Sequence, residues 1–95
     1  MSTAVTSESN SAASGQLLAS QPTRRMASIF NDSPAVLYVL LTDGTASNTN
    51  YTVSVPQGYL YELPVGQDGD VYGGRIMGIW ASASTGGARI TEDFG

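Results

Sequence analysis

An all-β fold, a small antiparallel β-sandwich or jelly-roll-like barrel preceded by a flexible N-terminal arm, is what this 95-residue chain predicts. Three observations lead there. From Arg24 onward, apolar and polar residues alternate with a period of two or form short apolar runs. Turn-forming clusters rich in Gly, Pro, Asn and Asp punctuate those runs at regular spacing. No segment carries apolar residues at i, i+3, i+4 and i+7 for more than one turn, so no helix is expected.

Residues 2–16, STAVTSESNSAASGQ, are mostly Ser, Thr, Ala and Asn, with a single charge at Glu8. Such a stretch buries too little apolar surface to offset the entropy of ordering it. Residues 1–21 are therefore expected to be a flexible arm, and residues 22–95 the sandwich domain. The short apolar group Leu17-Leu18 can form a first strand or anchor the arm, and Gln21-Pro22-Thr23 breaks the chain. In RRMASIFN, Met26, Ser28 and Phe30 share one face, and Arg25, Ala27 and Ile29 the other. Asn31-Asp32-Ser33-Pro34 is a breaker, too rich in turn formers to continue either neighbouring strand. AVLYVLL, residues 35–41, is apolar on both faces, which predicts a central strand covered from two sides.

Thr42 to Asn50 is a polar loop with turn chemistry at Asp43-Gly44. YTVSV and YLYEL flank Pro56-Gln57-Gly58, and residues 51–63 are expected to form the clearest hairpin, with Pro56 at the second position of a type I turn and Gly58 in a left-handed conformation. Residues 64–74 form a Gly-rich loop. RIMGIWASA and ARITEDF are the last two strands, joined by a turn at residues 84–87, and Trp80 is expected to be buried.

Composition excludes several classes of function. The chain has no cysteine and no histidine, so disulfides, thiolate metal sites and the usual general base near neutral pH are all missing. Its cations are four arginines against eight carboxylates, a net charge of −4 that offers no basic patch for nucleic-acid phosphate. Serines are plentiful, but neither His nor Lys is present to activate one, and no carboxylate pair stands out; the chain is expected not to be an enzyme. Apolar runs are too short to span a bilayer, and the N-terminus lacks the pattern of a signal peptide, so synthesis in the cytoplasm is expected. No cofactor is called for. Asp68-Gly69-Asp70 offers two carboxylates to a cation but lacks further acidic ligands, and a solvated turn is the simpler reading. Tyr59, Tyr61, Tyr72 and Trp80 can serve a sugar platform, core packing or a protein interface. Arg24 and Arg25, where arm meets strand, can grip carboxylates on a partner or simply begin a strand in solvent. The partner-binding candidates are thus Arg24, Arg25, Tyr59 and Tyr61.

Three segments, ASIFNDSPAVLYVLL, YTVSVPQGYLYELP and GIWASASTGGARITE, together resemble a family of small virion proteins of tailed bacteriophages. The resemblance spans residues 24–93, and its motifs are structural rather than catalytic. It implies a β-sandwich that decorates or cements the capsid exterior, with the major capsid protein as partner and a homo-oligomer, trimer or dimer, as the binding form. Related modules occur in phage fibre and adaptor proteins, so a fibre, adaptor or carbohydrate-binding module contacting a tail component or host is the alternative. The loop at residues 64–77 is longer than the resemblance implies.

Overall fold

The computed structural model describes residues 2–95. Among them, eight strands run in chain order: β1 (Ser2–Ser9), β2 (Gly15–Leu18), β3 (Arg24–Asn31), β4 (Leu37–Leu40), β5 (Val53–Val55), β6 (Leu60–Glu62), β7 (Ile76–Trp80) and β8 (Gly87–Phe94). No helix is present among the described residues, as the absence of a 3.6-residue apolar period predicts. The strands make two four-stranded antiparallel sheets, ordered β1-β8-β3-β6 and β2-β7-β4-β5. First pairs with last, second with next to last, and so inward to β4 with β5: one long antiparallel pair rolled over on itself. That is the jelly-roll form of the sandwich.

Period-two alternation decides which residues fill the space between the sheets. Ala27 and Ile29 of β3 and Ala88 and Ile90 of β8 meet Leu37 and Val39 of β4, Val55 of β5, and Ile76 and Trp80 of β7. β4 lies centrally, between β7 and β5, and its other face is covered too: Leu40 packs with Ala46, Met77 and Ile79 beneath the 41–52 loop. Ala46 N donates to Ser14 Oγ at 3.0 Å, which holds the loop down.

Several sequence expectations need correction. The lead is not a free arm in this structure: residues 2–9 form β1, in register with β8 over its whole length, Ser2 opposite Phe94 and Ser9 opposite Gly87. Composition pointed away from order because it counts apolar burial, whereas β1 is held by main-chain bonds that require none; Val5 is 73% exposed. The boundary at residue 21 also fails, because Leu17 and Leu18 belong to the core. Both face inward although adjacent, since the β2–β7 register shifts between Gln16 and Leu18.

Residues 51–63 do not form a hairpin. β5 pairs with β4 and β6 with β3, so the turn between them passes from one sheet to the other. Gly58 is left-handed as expected, at φ 79°, but Tyr59 N donates to Pro56 O, so Pro56 is the first residue of a type II turn and not the second of a type I turn. The Ser84–Gly87 turn likewise joins strands of different sheets, β7 and β8. Of the seven connections in the described chain, six pass between sheets and only β4–β5 stays within one.

Asn31, at the end of β3, explains two of those crossings. Read in sequence as part of a breaker, it is fully buried, and its side chain makes four hydrogen bonds. Nδ2 donates to Ala35 O and Val55 O, both at 2.8 Å; Oδ1 accepts from Ser33 N at 3.2 Å and Trp80 Nε1 at 3.0 Å. Its backbone carbonyl accepts from Gly58 N, and its N–H donates to Tyr59 O. The residue therefore fixes where the chain leaves β3 and where β5 hands over to β6. Trp80 is 3% exposed, as expected.

Removing this side chain strands four buried polar partners, each costing about 1–3 kcal/mol unless water reaches it. Asn31→Ala is expected to lower stability by at least about 3 kcal/mol, comparable with about 3–5 kcal/mol for Trp80→Ala. Because the two side chains share a bond, the double variant should lose less than the sum. Urea denaturation of the four proteins measures this, and strict additivity would contradict the shared network.

Candidate interaction surface

The sheet β1-β8-β3-β6 presents an uncovered outer face. Ile29 and Ile90 point into the core, so the residues alternating with them point outward. One row across the sheet reads Val5, Thr91, Ser28, Glu62; the next reads Ser7, Arg89, Phe30, Leu60; a third holds Thr3, Asp93 and Met26. Val5, Met26 and Leu60 are exposed, and Phe30, opposite Leu60, is half-buried. Each row also carries one charge: Glu62, Arg89 and Asp93. Arg89 Nε lies 3.2 Å from Asp32 Oδ2 in a solvent-exposed pair that screening leaves weak. Thr3 Oγ1 donates to Asp93 Oδ1 at 2.8 Å. Apolar side chains are thus interspersed with Ser, Thr and charged ones, and only Phe30 and Leu60 are register neighbours.

The sequence-chosen candidates fare unequally. Arg24 is buried and engaged within the chain. Its Nε lies 2.7 Å from Glu92 Oε2; Nη1 donates to Tyr72 O and Gly74 O at 2.9 and 3.0 Å, and Nη2 to Ala19 O at 2.8 Å. It cannot reach a partner. The cause is a register shift between Arg24 and Met26, which turns Arg24 inward where strict alternation would place it beside Met26 on the outside. Arg25, in that irregularity, is exposed, close to Gly95. Tyr59 stands 63% exposed at the turn before β6. Tyr61 packs against the core, and burial raises its phenol above the ordinary value. Of the four, Arg25 and Tyr59 remain accessible, at opposite ends of the sheet.

The sugar platform of Tyr59, Tyr61, Tyr72 and Trp80 is not assembled. Trp80 is buried, and Tyr72 is half-buried with its hydroxyl donating to Arg75 O at 2.5 Å. Burial raises the Tyr72 phenol, with the Asp43 charge adding to the rise and Arg24 opposing it. A different aromatic pair lies at the other sheet: the rings of Tyr38, half-buried on β4, and Tyr51, exposed before β5, are 4.8 Å apart and tilted by 48°. Beside Tyr38 is an open cavity of about 240 Å³, lined also by Ala12, Ser47, Asn48, Ile79 and Ala81.

Asp68-Gly69-Asp70 forms the tip of a small turn closed by the Val65–Val71 bridge, with Gly69 at φ 84°. Asp70 N donates to Asp68 Oδ1 at 3.3 Å, and this backbone bond is the main reason the Asp68 carboxyl sits below its ordinary value. No three His, Cys, Asp or Glu side chains group together as metal ligands among the described residues.

No protein-family model, curated protein or solved structure matches this chain.

Leu60 was readable in sequence, since YLYEL puts it opposite the face of Tyr61. Val5 was not, because its place depends on the β1–β8 register.

The buried Arg24–Glu92 pair gives a direct test of this layout. Arg24→Met alone leaves Glu92 unpaired and is expected to cost about 3–5 kcal/mol. Arg24→Met with Glu92→Leu should recover part of that loss, though not all, because the carbonyls of Ala19, Tyr72 and Gly74 still lack a donor. Thermal melting of the three proteins decides it; a single variant as stable as the parent would place Arg24 at the surface.

Proposed function

We propose that this chain is a structural virion protein of a tailed bacteriophage, which decorates or cements the capsid exterior by binding capsid subunits as a trimer or dimer. The observation that carries this reading is the outer face of the β1-β8-β3-β6 sheet, where Val5, Met26 and Leu60 stand exposed among small polar residues. An uncovered sheet face that carries Phe30 and Leu60 side by side, with further exposed apolar side chains set among polar ones, suits a protein contact. β1 adds a second means of attachment, since the backbone groups along its outer edge have no neighbouring strand and can accept one from a partner. The partner's identity comes from the sequence resemblance. Jelly rolls serve in capsids and in lectins alike, so the architecture alone favours neither.

A weaker second reading has its own observation. The cavity beside Tyr38 combines an aromatic ring with Asn48 and Ser47, groups able to stack on and hydrogen-bond a sugar, which fits a fibre, adaptor or carbohydrate-binding module.

Particles lacking the protein are expected to assemble but to release DNA at a lower temperature than complete ones, because a modest contact repeated over a lattice adds up. Leu60→Asp, a change at an exposed position, should weaken attachment to bare particles at least tenfold while leaving the chain folded. Equal thermal release with and without the protein, or its location only at the tail or fibres, would overturn the capsid reading. Loss of glycan binding in Asn48→Ala would favour the second.

A further inference from the structure

We propose that β1 is an exchangeable strand: it can leave its own β8 and pair in the same register with β8 of a second copy of this chain. This concerns the chain's association with itself and holds whatever surface the protein decorates.

The donor is loosely attached. Most β1 side chains are exposed, and none belongs to either apolar cluster. Beneath its C-terminal end lies an open cleft of about 170 Å³, bordered by Glu8, Ser9, Gln16, Leu17 and Trp80, so the second sheet does not close over the strand there. What retains β1 is the main-chain ladder to β8, the Thr3–Asp93 bond, and a latch at Asn10. Asn10 N donates to Gly86 O and its Nδ2 to Ser33 Oγ, while its Oδ1 accepts from Ser84 N. Each of these bonds can form equally well on another copy's β8, Ser33 and Ser84. Detaching the strand thus sacrifices polar contacts that are regained on re-docking, and very little apolar burial.

The acceptor is built to be filled. β8 lies between β1 and β3, with Ala88 and Ile90 in the core, so without β1 it becomes an open edge directly over buried residues. Gly87 marks how closely the incoming strand approaches: a Cβ there would overlap the Glu8 carbonyl. The link is suited to a hinge. Ala12, Ala13 and Ser14 are small, carry no charge and lie outside regular structure, and Ala12 and Ala13 are exposed. Asn10 and Ser11 would travel with the strand, the Ser11 O–Trp80 N bond re-forming on the second copy, while Ser14 Oγ stays bonded to Ala46 N. Exchange of an identical element is a low-cost route to a dimer. A strand tethered this way sees its own β8 at an effective concentration on the order of mM. Exchange therefore prevails only at comparable chain concentrations, or where copies are held side by side.

The chain has no cysteine, which makes a clean test possible. Val5 and Thr91 are register partners with outward side chains, within the Cα separation that a disulfide spans. Val5→Cys and Thr91→Cys chains are mixed at millimolar concentration, unfolded and refolded together, then oxidised. A 5–91 linked heterodimer, identified by mass spectrometry of the joined peptides, is expected at tenfold or more above an off-register control of Val5→Cys with Thr49→Cys, and should fall on dilution before oxidation. The Val5→Cys/Thr91→Cys double variant should give covalent dimers under the same conditions and intrachain bonds when dilute. A linked heterodimer no more abundant than the control, with only intrachain bonds in the double variant at millimolar concentration, would overturn exchange. Since no capsid is involved, that failure leaves the capsid reading untouched.

Discussion

The side chain of Asn31 is the point on which the arrangement of the two sheets turns. It sits on a strand of one sheet and bonds to Val55 and Trp80 of the other. Both donors and both acceptors of the amide are used, so its burial leaves nothing unsatisfied. Such a network in a low-dielectric interior specifies geometry better than apolar packing, which tolerates sliding. The indole of Trp80 is oriented by it, and the exit of β3 and the β5–β6 crossing are pinned by the same residue. Ser33, also fully buried, extends the network to Asn10.

At the other end of β3, Arg24 plays a corresponding part. Its pairing with Glu92, together with three backbone carbonyls, ties the β2–β3 turn and the Gly-rich loop to the sheet. A buried ion pair is a weak source of net stability, because desolvation offsets most of the attraction, but its loss on one side is expensive. β3 thus carries a polar clamp at each end of its inner face, with Ala27 and Ile29 between. The clamps organise loops, while the apolar residues supply the burial. A consequence for recognition is that the arginine next in sequence, Arg25, is left outside.

Local chemistry in the sequence was a good guide to strands and a poor guide to their partners. The alternation in RRMASIFN and the two-faced AVLYVLL placed β3 and β4, and Pro56-Gln57-Gly58 marked a turn. Which sheet each strand joins depends on contacts between distant residues, such as Asn31 with Val55 and Trp80, and no local pattern encodes them. The lead shows no strand signal in sequence because its Ser and Thr side chains give no apolar pattern, and main-chain pairing to β8 requires none. Arg24 faces inward because the irregularity after it reverses its face, and nothing in RRM announces an extra residue. On the candidate surface, Leu60 followed from alternation and Tyr59 from its aromatic character. Val5 and Met26 acquired meaning only once four strands, drawn from both ends of the chain, stood side by side.

The nesting of first strand with last has a consequence for synthesis. β8 separates β1 from β3, so β1 has no partner, and β3 only β6, until residues 87–94 have left the ribosome. The β4–β5 pair, joined within one sheet, is the natural first structure, and the remaining pairs can close around it in order of increasing loop length. Jelly rolls of this kind fall among the slow folders, on the order of milliseconds to seconds, because long loops must close before their contacts form. During translation the emerging chain displays Leu37–Leu41 and Ile76–Trp80 without their eventual cover. The sparse charge and many serines and threonines of the rest of the sequence accompany a nascent chain that must stay dissolved until its final eight-residue strand arrives.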